Sequence, residues 1–310
     1  MPHLIKLEEN AATMTDLSSV CAASLTTHPL TNEYQSEVLA FLAERPLHTV
    51  VMSGFIRDNG LESPFNRGTF YACRNARGEL EGVALIGHAM FIEVRSFAAL
   101  KVFAQLAQSC RRAHMIMGEQ EKIEHFWNYY SEGGQPPRLF CREILFEQRW
   151  PVQALESVPN LRPATLDDLL LVMPVHAALA YEESGINPLD TDPQGFRLRC
   201  ERRIRQERVW VWVEQGQLIF KADIIAETPD VIYLEGVYVD LKERGQGYGT
   251  RCLSQMARSL LQRTDAISLL VNEEHRVEQA FFQKAGFKRR GYYDTIFLQQ
   301  QNERSEIQKP

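Results

Sequence analysis

The chain has 310 residues, the length of about two domains. Hydrophobic residues make up 45% of the sequence and charged residues 24%, which excludes a disordered or fibrous protein. The formal net charge of −6 argues against partners bound through a chain-wide positive field, such as nucleic acid or anionic lipid.

The sequence also lacks the segments of membrane and secreted proteins. The longest uncharged apolar stretch, 169–180, is shorter than the roughly 20 residues of a bilayer span, and Pro174 interrupts it. Residues 1–16 contain no apolar run of a secretion signal, so we expect a cytoplasmic protein. Without the paired spacing of a zinc site or disulfide framework, the cysteines are predicted to be reduced thiols and no metal is expected. These residues are Cys21, Cys73, Cys110, Cys141, Cys200 and Cys252.

Hydrophobic periodicity predicts a mixed first half. Residues 1–65 are predicted to be mostly helical. The remaining elements are strands at 69–73, 80–86 and 90–94, a helix at 97–112, a strand at 114–117, a helix at 121–130 and a closing strand at 138–146.

A linker is predicted at 151–160, where prolines punctuate the sequence. Beyond it, Thr165 and Asp168 have the spacing of a capping box that starts a helix ending near Gly185. The elements that follow are a helix at 194–207, strands at 209–213, 218–225 and 231–239, a helix at 249–263, a strand at 266–271, a helix at 274–284 and a strand at 292–298. Because both halves have the same element order, the sequence predicts a duplicated fold with domains at 1–150 and 161–310.

The most informative segment joins the strand at 231–239 to the next helix. It passes through Arg244 and three alternating glycines, Gly245, Gly247 and Gly249. Glycines let backbone amides converge, and unpaired amides at a helix N-terminus favour an anion, so this junction is suited to phosphate. A tight bend without a ligand is the alternative. The sequence has neither the Gly-x-Gly-x-x-Gly pattern with its acidic partner nor the Gly-Lys-Ser/Thr of a P-loop.

Arg-Gly-x-Gly-x-Gly after Val-x-Val resembles the pyrophosphate loop of the GNAT superfamily of N-acetyltransferases. Leu-Leu-Val-Asn at 269–272 and the segment 280–287, which ends in Gly-Phe, resemble the family's fifth strand and following helix. The resemblance covers about half the chain. It implies a tandem α/β (α+β) protein of two GNAT-like domains, each a mixed, mostly antiparallel twisted sheet flanked by helices.

The resemblance also implies acetyl-coenzyme A as cosubstrate, lying in an opening between the strands at 231–239 and 266–271. Gly236 then either marks the bulge that splays these strands or serves only close packing. The residues that the resemblance assigns to the cofactor are Val237, Tyr238, Val239, Arg244, Gly245, Gln246, Gly247, Tyr248, Gly249, Thr250, Asn272 and Phe282.

By the same resemblance the reaction is direct acetyl transfer to an amine, and Glu235 is the candidate general base, with a solvated carboxylate as the alternative. Phe282 stands where many family members have a tyrosine that assists the departing thiolate. Either Tyr292 or Tyr293 substitutes, or backbone dipoles suffice, or the protein binds acyl-coenzyme A without fast turnover.

The acceptor is expected near Glu182, Glu183 and Asn187, where adjacent carboxylates at a helix end oppose the helix dipole and could bind a cationic amine. An ordinary polar helix end is the alternative. Arginines at 197–208 are interpreted as a solvated helix face, with an anionic-ligand patch as the alternative. His176 is interpreted as a packed core residue, and Trp210 with Trp212 as parts of a buried strand.

Residues 94–99, the first half's counterpart of the glycine loop, contain no glycine, so the first domain is predicted to be degenerate. The sequence thus favours an acetyl-coenzyme A dependent N-acetyltransferase of a small amine or amino acid, with no nucleic-acid or membrane partner. A protein N-terminal or lysine acetyltransferase and a non-catalytic acyl-coenzyme A sensor are the alternatives. The acceptor, the acyl chain and the choice between monomer and homodimer stay open.

Overall fold

The computed structural model describes residues 25–299, so Cys21 and the predicted features of residues 1–24 lie outside the described part. The first half contains α-helices and strands in the predicted order, preceded by a short strand that the sequence did not predict. Its elements are β1 (Thr26–Pro29), α1 (Gln35–Leu42), α2 (Pro46–Asn59), β2 (Gly68–Arg74), β3 (Leu80–Gly87), β4 (Ala89–Val94), α3 (Phe97–Ala107), β5 (Met115–Glu119), α4 (Gln120–Tyr130) and β6 (Pro137–Gln148).

The second half repeats this order. Its elements are β7 (Leu161–Pro163), α5 (Leu169–Ser184), α6 (Pro188–Thr191), α7 (Pro193–Arg205), β8 (Val209–Glu214), β9 (Gln217–Glu227), β10 (Val231–Val239), α8 (Tyr248–Leu260), β11 (Ala266–Asn272), α9 (Arg276–Lys284) and β12 (Lys288–Leu298). The capping box of Thr165 and Asp168 is present, and α5 ends at Gly185, whose φ is +66°.

A single mixed sheet runs through both halves of the described chain, in the order β1-β2-β3-β4-β5-β12-β6-β11-β10-β9-β8-β7. The last strand of each half is exchanged: β6 pairs with β11 of the second half, and β12 pairs with β5 of the first. The two exchanged strands pair antiparallel with each other at the centre. The predicted closing strand of the first half therefore completes the sheet of the other half.

The topology confirms the predicted duplication. Each half has an antiparallel hairpin, β2–β3 or β8–β9, and one parallel pair, β4–β5 or β10–β11. Each parallel pair is joined through a helix, α3 or α8. In both halves this pair marks the place where a GNAT sheet is expected to open.

Helices pack on both faces of the sheet, and α2 ties the two halves together. Helix α8 buries Leu253, Met256 and Leu260, spaced three and four residues apart, against the second half of the sheet. On the other face, α2 of the first half crosses β9, and a Cβ at Gly54 would lie only 2.7 Å from Ala226 Cβ. A larger residue than glycine would push this helix away from the second half.

The predicted linker 151–160 contains no helix or strand but packs firmly on α8. Val152 and Val158 are buried, and the Val158 amide donates to Gln255 Oε1 at 2.7 Å. Among residues 25–299, no helix has the length and apolar character that crossing a bilayer requires.

Candidate active site

Strands β10 and β11 separate beside Gly236. Their parallel pairing covers only Val231–Leu234 of β10, so the backbone of 235–239 has no strand on that edge. On the opposite edge, the register with β9 shifts between Glu235 and Tyr238, and Gly236 has φ +59°. The bulge expected at Gly236 is therefore present. The alternative role of Gly236, close packing, is present as well, because a Cβ at this position would lie 2.7 Å from Asp223 Oδ2.

The glycine loop lies next to this free edge. Gly245 and Gly247 have φ near +80°, a conformation that favours glycine, and a Cβ at either position would have no atom within 4 Å. Gly247 is the N-cap of α8 and offers no side chain to the first-turn amides. The open side of the loop therefore presents backbone donors at the positive end of the helix dipole.

Gly249 has a different role from the two loop glycines. A Cβ at this position would meet Val239 Cγ2 at 2.8 Å and the Phe281 ring at 3.1 Å. This glycine allows α8 to approach β10 closely.

Polar contacts within the loop set its shape. Arg244 Nε donates to the Val239 carbonyl at 3.1 Å, and Gln246 Nε2 donates to Glu243 at 3.0 Å. Tyr248 packs edge-on against Trp212, with ring centroids 5.1 Å apart. The segment 244–250 is thus held at the mouth of the opening by this chain's own contacts.

Asn272 and Phe282 are placed differently from each other. Asn272 ends β11 at the opening, and its Oδ1 accepts the Glu274 amide at 2.8 Å. Phe282 is 6% exposed and packs against Phe281 and Phe287 with ring centroids 4.9 and 5.8 Å away. The structure therefore brings Asn272 to the opening and places Phe282 in the core.

Three carboxylates, which we call the glutamate cluster, face one another beside the opening. Glu235 lies on the bulge of β10, Glu183 on the last turn of α5 and Glu143 on β6, opposite Asn272 in the register. The side chains of Glu183 and Glu235 are exposed, although protein atoms surround both carboxylates closely enough to desolvate them. The cluster brings together two predicted residues and one that sequence reasoning missed.

The glutamate cluster holds protons more tightly than isolated carboxyls do. Desolvation, followed by repulsion from Glu235 and Glu143, raises the pKa of Glu183 to about 8. Desolvation likewise raises the pKa of Glu143 to about 7, against the hydrogen bond it accepts from Thr295 at 2.5 Å. The pKa of Glu235 is raised by desolvation and lowered by the nearby Arg203 and Tyr233, with the upward effect larger.

The other predicted acceptor residues are less involved. Glu182 is exposed, and Asn187 Oδ1 accepts the Leu189 amide at 3.1 Å as the cap of α6. Of the segment 182–187, Glu183 is the residue that meets the candidate base.

Tyr292 and Tyr293 are not brought to the opening. Both lie on β12, with β6 and β11 between them and β10. The Tyr293 hydroxyl is 2.9 Å from His48 Nδ1 of the first half. Tyr292 is 46% exposed and lines a separate surface depression beside α4.

A buried charged network, Lys221–Asp223–His176, lies directly under the bulge. Lys221 Nζ is 2.5 Å from Asp223 Oδ2 and donates to the Gly236 carbonyl at 3.0 Å. His176 Nε2 is 2.6 Å from the same Asp223 oxygen. His176 is buried as predicted, but its partner is a charged carboxylate instead of an apolar core. The network holds the bulge through the hydrogen bond from Lys221 to the Gly236 carbonyl.

The arginines on helix α7 and just after it do not all face solvent as the sequence predicts. Arg202 Nη2 donates to Asn59 Oδ1 at 2.6 Å, and Arg208 Nη2 donates to Asp58 Oδ1 at 2.8 Å. A solvated face is therefore wrong for these two arginines, because they dock the second half onto α2 of the first. Trp212, 8% exposed, confirms the expected buried strand.

The first half has a corresponding opening that ion pairs bridge. Strands β4 and β5 pair only up to Phe91, and beyond that point Lys122 Nζ lies 2.7 Å from Glu93 of β4 and 2.9 Å from Glu119 of β5. Arg45 spans the same two carboxylates at 3.0 and 2.6 Å. With these bridges and no glycine at 94–99, the first half lacks the features that make the second a candidate site.

Comparison with known families agrees with this geometry. Residues 178–287 match the sequence model of the Acetyltransferase (GNAT) family. This match lies within the second half of the chain, and it confirms the predicted family resemblance for residues 178–287. No curated protein matches the sequence.

Solved structures extend the likeness to both halves. A GNAT-family acetyltransferase from Colwellia psychrerythraea is 11% identical, with a TM-score of 0.57 over 89% of this chain and 100% of that one. A tandem GNAT protein from the clavulanic acid biosynthesis pathway is 14% identical, with a TM-score of 0.55 over 90% and 100%. A GCN5-related N-acetyltransferase from Sphaerobacter thermophilus is 12% identical, with a TM-score of 0.54 over 88% and 94%. The predicted fold class, with two GNAT-like halves, is confirmed.

Proposed function

We propose that the second half binds acetyl-coenzyme A and transfers the acetyl group to the primary amine of a small molecule or amino acid. The observation that carries this proposal is the adjacency of the glycine loop 244–250, the free edge of β10 and the glutamate cluster. The glycine loop suits a diphosphate, the free edge of β10 suits an extended pantetheine chain, and the glutamate cluster suits an amine.

The donor side fits the residues present. The loop amides and Arg244 would hold the pyrophosphate, and the unpaired edge at 237–239 would accept pantetheine as an added strand. Asn272 would orient it from β11. Bound there, acetyl-coenzyme A supplies an activated thioester whose carbonyl oxygen needs hydrogen-bond donors as charge develops.

On the acceptor side, Glu235 takes the proton that the attacking amine loses, directly or through one water. The nitrogen–carbon bond forms as the carbon–sulfur bond breaks, and the sulfur leaves as thiolate. A raised pKa suits this role because a base is most effective when its pKa lies near the working pH. Glu183 and Glu143, in their ionised forms, attract the cationic form of the amine to the same place.

Cofactor binding tests the loop assignment. Gly247→Val forces a β-branched residue into the left-handed conformation and crowds the open side of the loop. We expect isothermal titration calorimetry to show at least a tenfold loss of acetyl-coenzyme A affinity. Gly216→Val is the matched control, because Gly216 has φ +77° and open space in a distant hairpin. Unchanged affinity in Gly247→Val would refute the loop assignment.

Turnover tests the reaction. Coenzyme A thiol release is measured with a panel of small amines, amino acids and peptides, and product masses identify the acetylated acceptor. Glu235→Gln should lower kcat more at neutral pH than at high pH, where more of the amine is already deprotonated. Glu214→Gln, an exposed hairpin residue, is the control. An equal loss at all pH values would remove Glu235 as the base.

A non-catalytic acyl-coenzyme A sensor is the second candidate function. It is favoured by the burial of Phe282 and by the distance in the sheet between the opening and both tyrosines. Cofactor affinity that depends on Gly247, together with no thiol release above hydrolysis with any acceptor, would support the sensor over the enzyme.

A further inference from the structure

A row of basic and aromatic side chains, which we call the basic row, lies near the glutamate cluster. The carbonyl of Arg67, after α2, accepts the His88 amide at 2.8 Å. The His88 and His114 rings are stacked with centroids 5.0 Å apart, and the His114 ring meets Phe297 edge-on at 5.5 Å. Arg138 continues the row from β6, with its guanidinium 5.7 Å from the Phe297 ring.

The basic row reaches the end of helix α5. Arg138 occupies the position where the β6–β12 register shifts, and its Nη1 would lie 3.3 Å from a Cβ at Gly185. Glu183 precedes Gly185 by two residues, so the basic row and the glutamate cluster meet at the same helix terminus. Arg138 and Glu143 lie on one strand, about 16 Å apart along β6 at the usual rise per residue.

Positive charge in the basic row is poorly compensated. Within residues 25–299, neither Arg67 nor Arg138 has a carboxylate in ion-pair contact or a side-chain hydrogen bond to protein. Arg199 of α7 adds a third guanidinium near Arg67. The acidic neighbour is Asp192, which Arg199 holds at 2.9 Å and which also accepts the Gly195 amide at 3.0 Å.

The two histidines contribute neutral donors between these arginines. Burial and the neighbouring Arg67 lower the pKa of His88 to about 3, and burial and Arg138 lower that of His114 to about 4. Nδ1 of His114 is buried without a hydrogen-bond partner in the described part of the chain. Guanidinium groups and imidazole N–H donors gathered on one wall are the partners that a carboxylate or phosphate group needs.

We propose that Arg67, Arg138 and Arg199, with His88 and His114, bind the anionic group of an elongated acceptor whose amine lies at the glutamate cluster. This proposal rests on the proposed function and narrows its substrate class. The acceptor is an amine that carries a carboxylate or phosphate at its far end, on the order of 10 to 15 Å from the nitrogen, as the strand spacing indicates. The first half of the chain would then select the substrate, because Arg67, Arg138 and both histidines belong to it.

Matched acceptors test the selectivity. Thiol release is measured with 8-aminooctanoate and with its methyl ester, which differ by the terminal charge. For the unaltered protein we expect kcat/KM at least tenfold higher for the acid, expressed mainly in KM. Arg138→Met should bring this ratio close to one by raising the KM of the acid far more than that of the ester, and Arg77→Met in an exposed turn is the control. A ratio near one in the unaltered protein, or an unchanged ratio in Arg138→Met, would overturn the proposal.

A binding measurement separates this proposal from the catalytic one. Inorganic phosphate is titrated into protein saturated with coenzyme A, which occupies the proposed glycine-loop site. We expect one weak site whose affinity falls at least tenfold in Arg67→Met and in Arg138→Met, with near-ultraviolet circular dichroism confirming that both variants are folded. Loss of this site without acetylation of any amine would uphold the anion site and refute the enzyme. Acetylation of an amine, with phosphate affinity unchanged in both variants, would uphold the enzyme and refute the anion site.

Discussion

The buried charge of Lys221 gives the sharpest test of how the bulge is held. Lys221 is 0% exposed, and its ammonium contacts Asp223 Oδ2 at 2.5 Å and the Gly236 carbonyl at 3.0 Å. Replacement by methionine keeps most of the side-chain volume but leaves the buried Asp223 carboxylate with His176 at 2.6 Å and the half-buried Arg203 at 3.9 Å as its remaining partners. Asp223 Oδ1 already has no hydrogen-bond partner in the described part of the chain. Breaking a buried ion pair in this way typically costs about 3 to 5 kcal/mol.

Loss of the hydrogen bond to the Gly236 carbonyl adds about 1 to 3 kcal/mol to this loss of stability if the carbonyl stays buried. Protonation of His176 would offset part of the total, because an unbalanced Asp223 raises the pKa of that imidazole. We therefore expect Lys221→Met to lower the free energy of unfolding by about 4 kcal/mol at pH 8 and by less at pH 6. His176 stabilises the variant in its protonated form, and this contribution disappears as the pH rises.

Urea denaturation at both pH values measures the effect, with the exposed Lys242→Met as control. The double variant Lys221→Met/Asp223→Asn should recover part of the stability, since it removes the unpaired charge. Lys221→Met should also lower acetyl-coenzyme A affinity, because the Gly236 carbonyl loses the hydrogen bond that holds the bulge. The double variant should not recover this affinity, because the Gly236 carbonyl still lacks that hydrogen bond. A loss below about 1 kcal/mol in Lys221→Met, at both pH values, would refute the assignment of the network as a buried ion pair.

Four further predictions concern the glutamate cluster, the approach of α8 to β10 and the first half. The rate of acetyl transfer should rise between about pH 6 and 9, since Glu143 and Glu183 have pKa values of about 7 and 8, and Glu143→Gln should move the midpoint lower; a pH–rate profile unchanged by this variant would contradict the mutual repulsion. The same raised pKa values mean that the folded state holds protons the unfolded chain releases, so urea midpoints should fall as pH rises from about 4.5 to 8, and a flat profile would refute this. Gly249→Ala should cost about 1 to 3 kcal/mol through overpacking, whereas Gly291→Ala, which meets no atom within 4 Å, should cost little by thermal denaturation. Lys122→Met should lower stability by about 2 kcal/mol by leaving Glu93 buried with Arg45 alone, without changing acetyl-coenzyme A affinity by calorimetry; a matching loss of affinity would mean that the first half takes part in cofactor binding.

Local sequence signals predicted those features whose causes are local. The glycine loop could be recognised because Gly245 and Gly247 are needed for backbone conformation, and a residue's backbone requirement is visible in its identity. The capping box of Thr165 and the C-terminal glycine of α5 were predictable for the same reason. The element order of both halves followed from hydrophobic period, and it was sufficient to predict the duplication.

Features that depend on contacts between distant parts of the chain could not be predicted from local sequence signals. Strands β1 and β7, four and three residues long, are too short to show an alternating pattern. The alternation of Cys141, Glu143 and Leu145 places all three on one face of β6, but no sequence signal says which half that face serves. Arg202 and Arg208 belong to an arginine-rich run whose pattern favours a solvated helix face, and their partners lie 143 and 150 residues away. These contacts depend on how the halves dock.

Exchange of the last strands gives a physical reason for a first half that lacks a cofactor loop of its own. Without β6, the edge of β11 that faces away from the opening would expose unpaired backbone groups, which favours aggregation. The same strand delivers Glu143 to the glutamate cluster and Arg138 to the basic row, so it covers the edge and lines the acceptor side at once. In such an arrangement, the first half can serve the second through β6 although its own segment 94–99 contains no glycine and Lys122 and Arg45 bridge its opening.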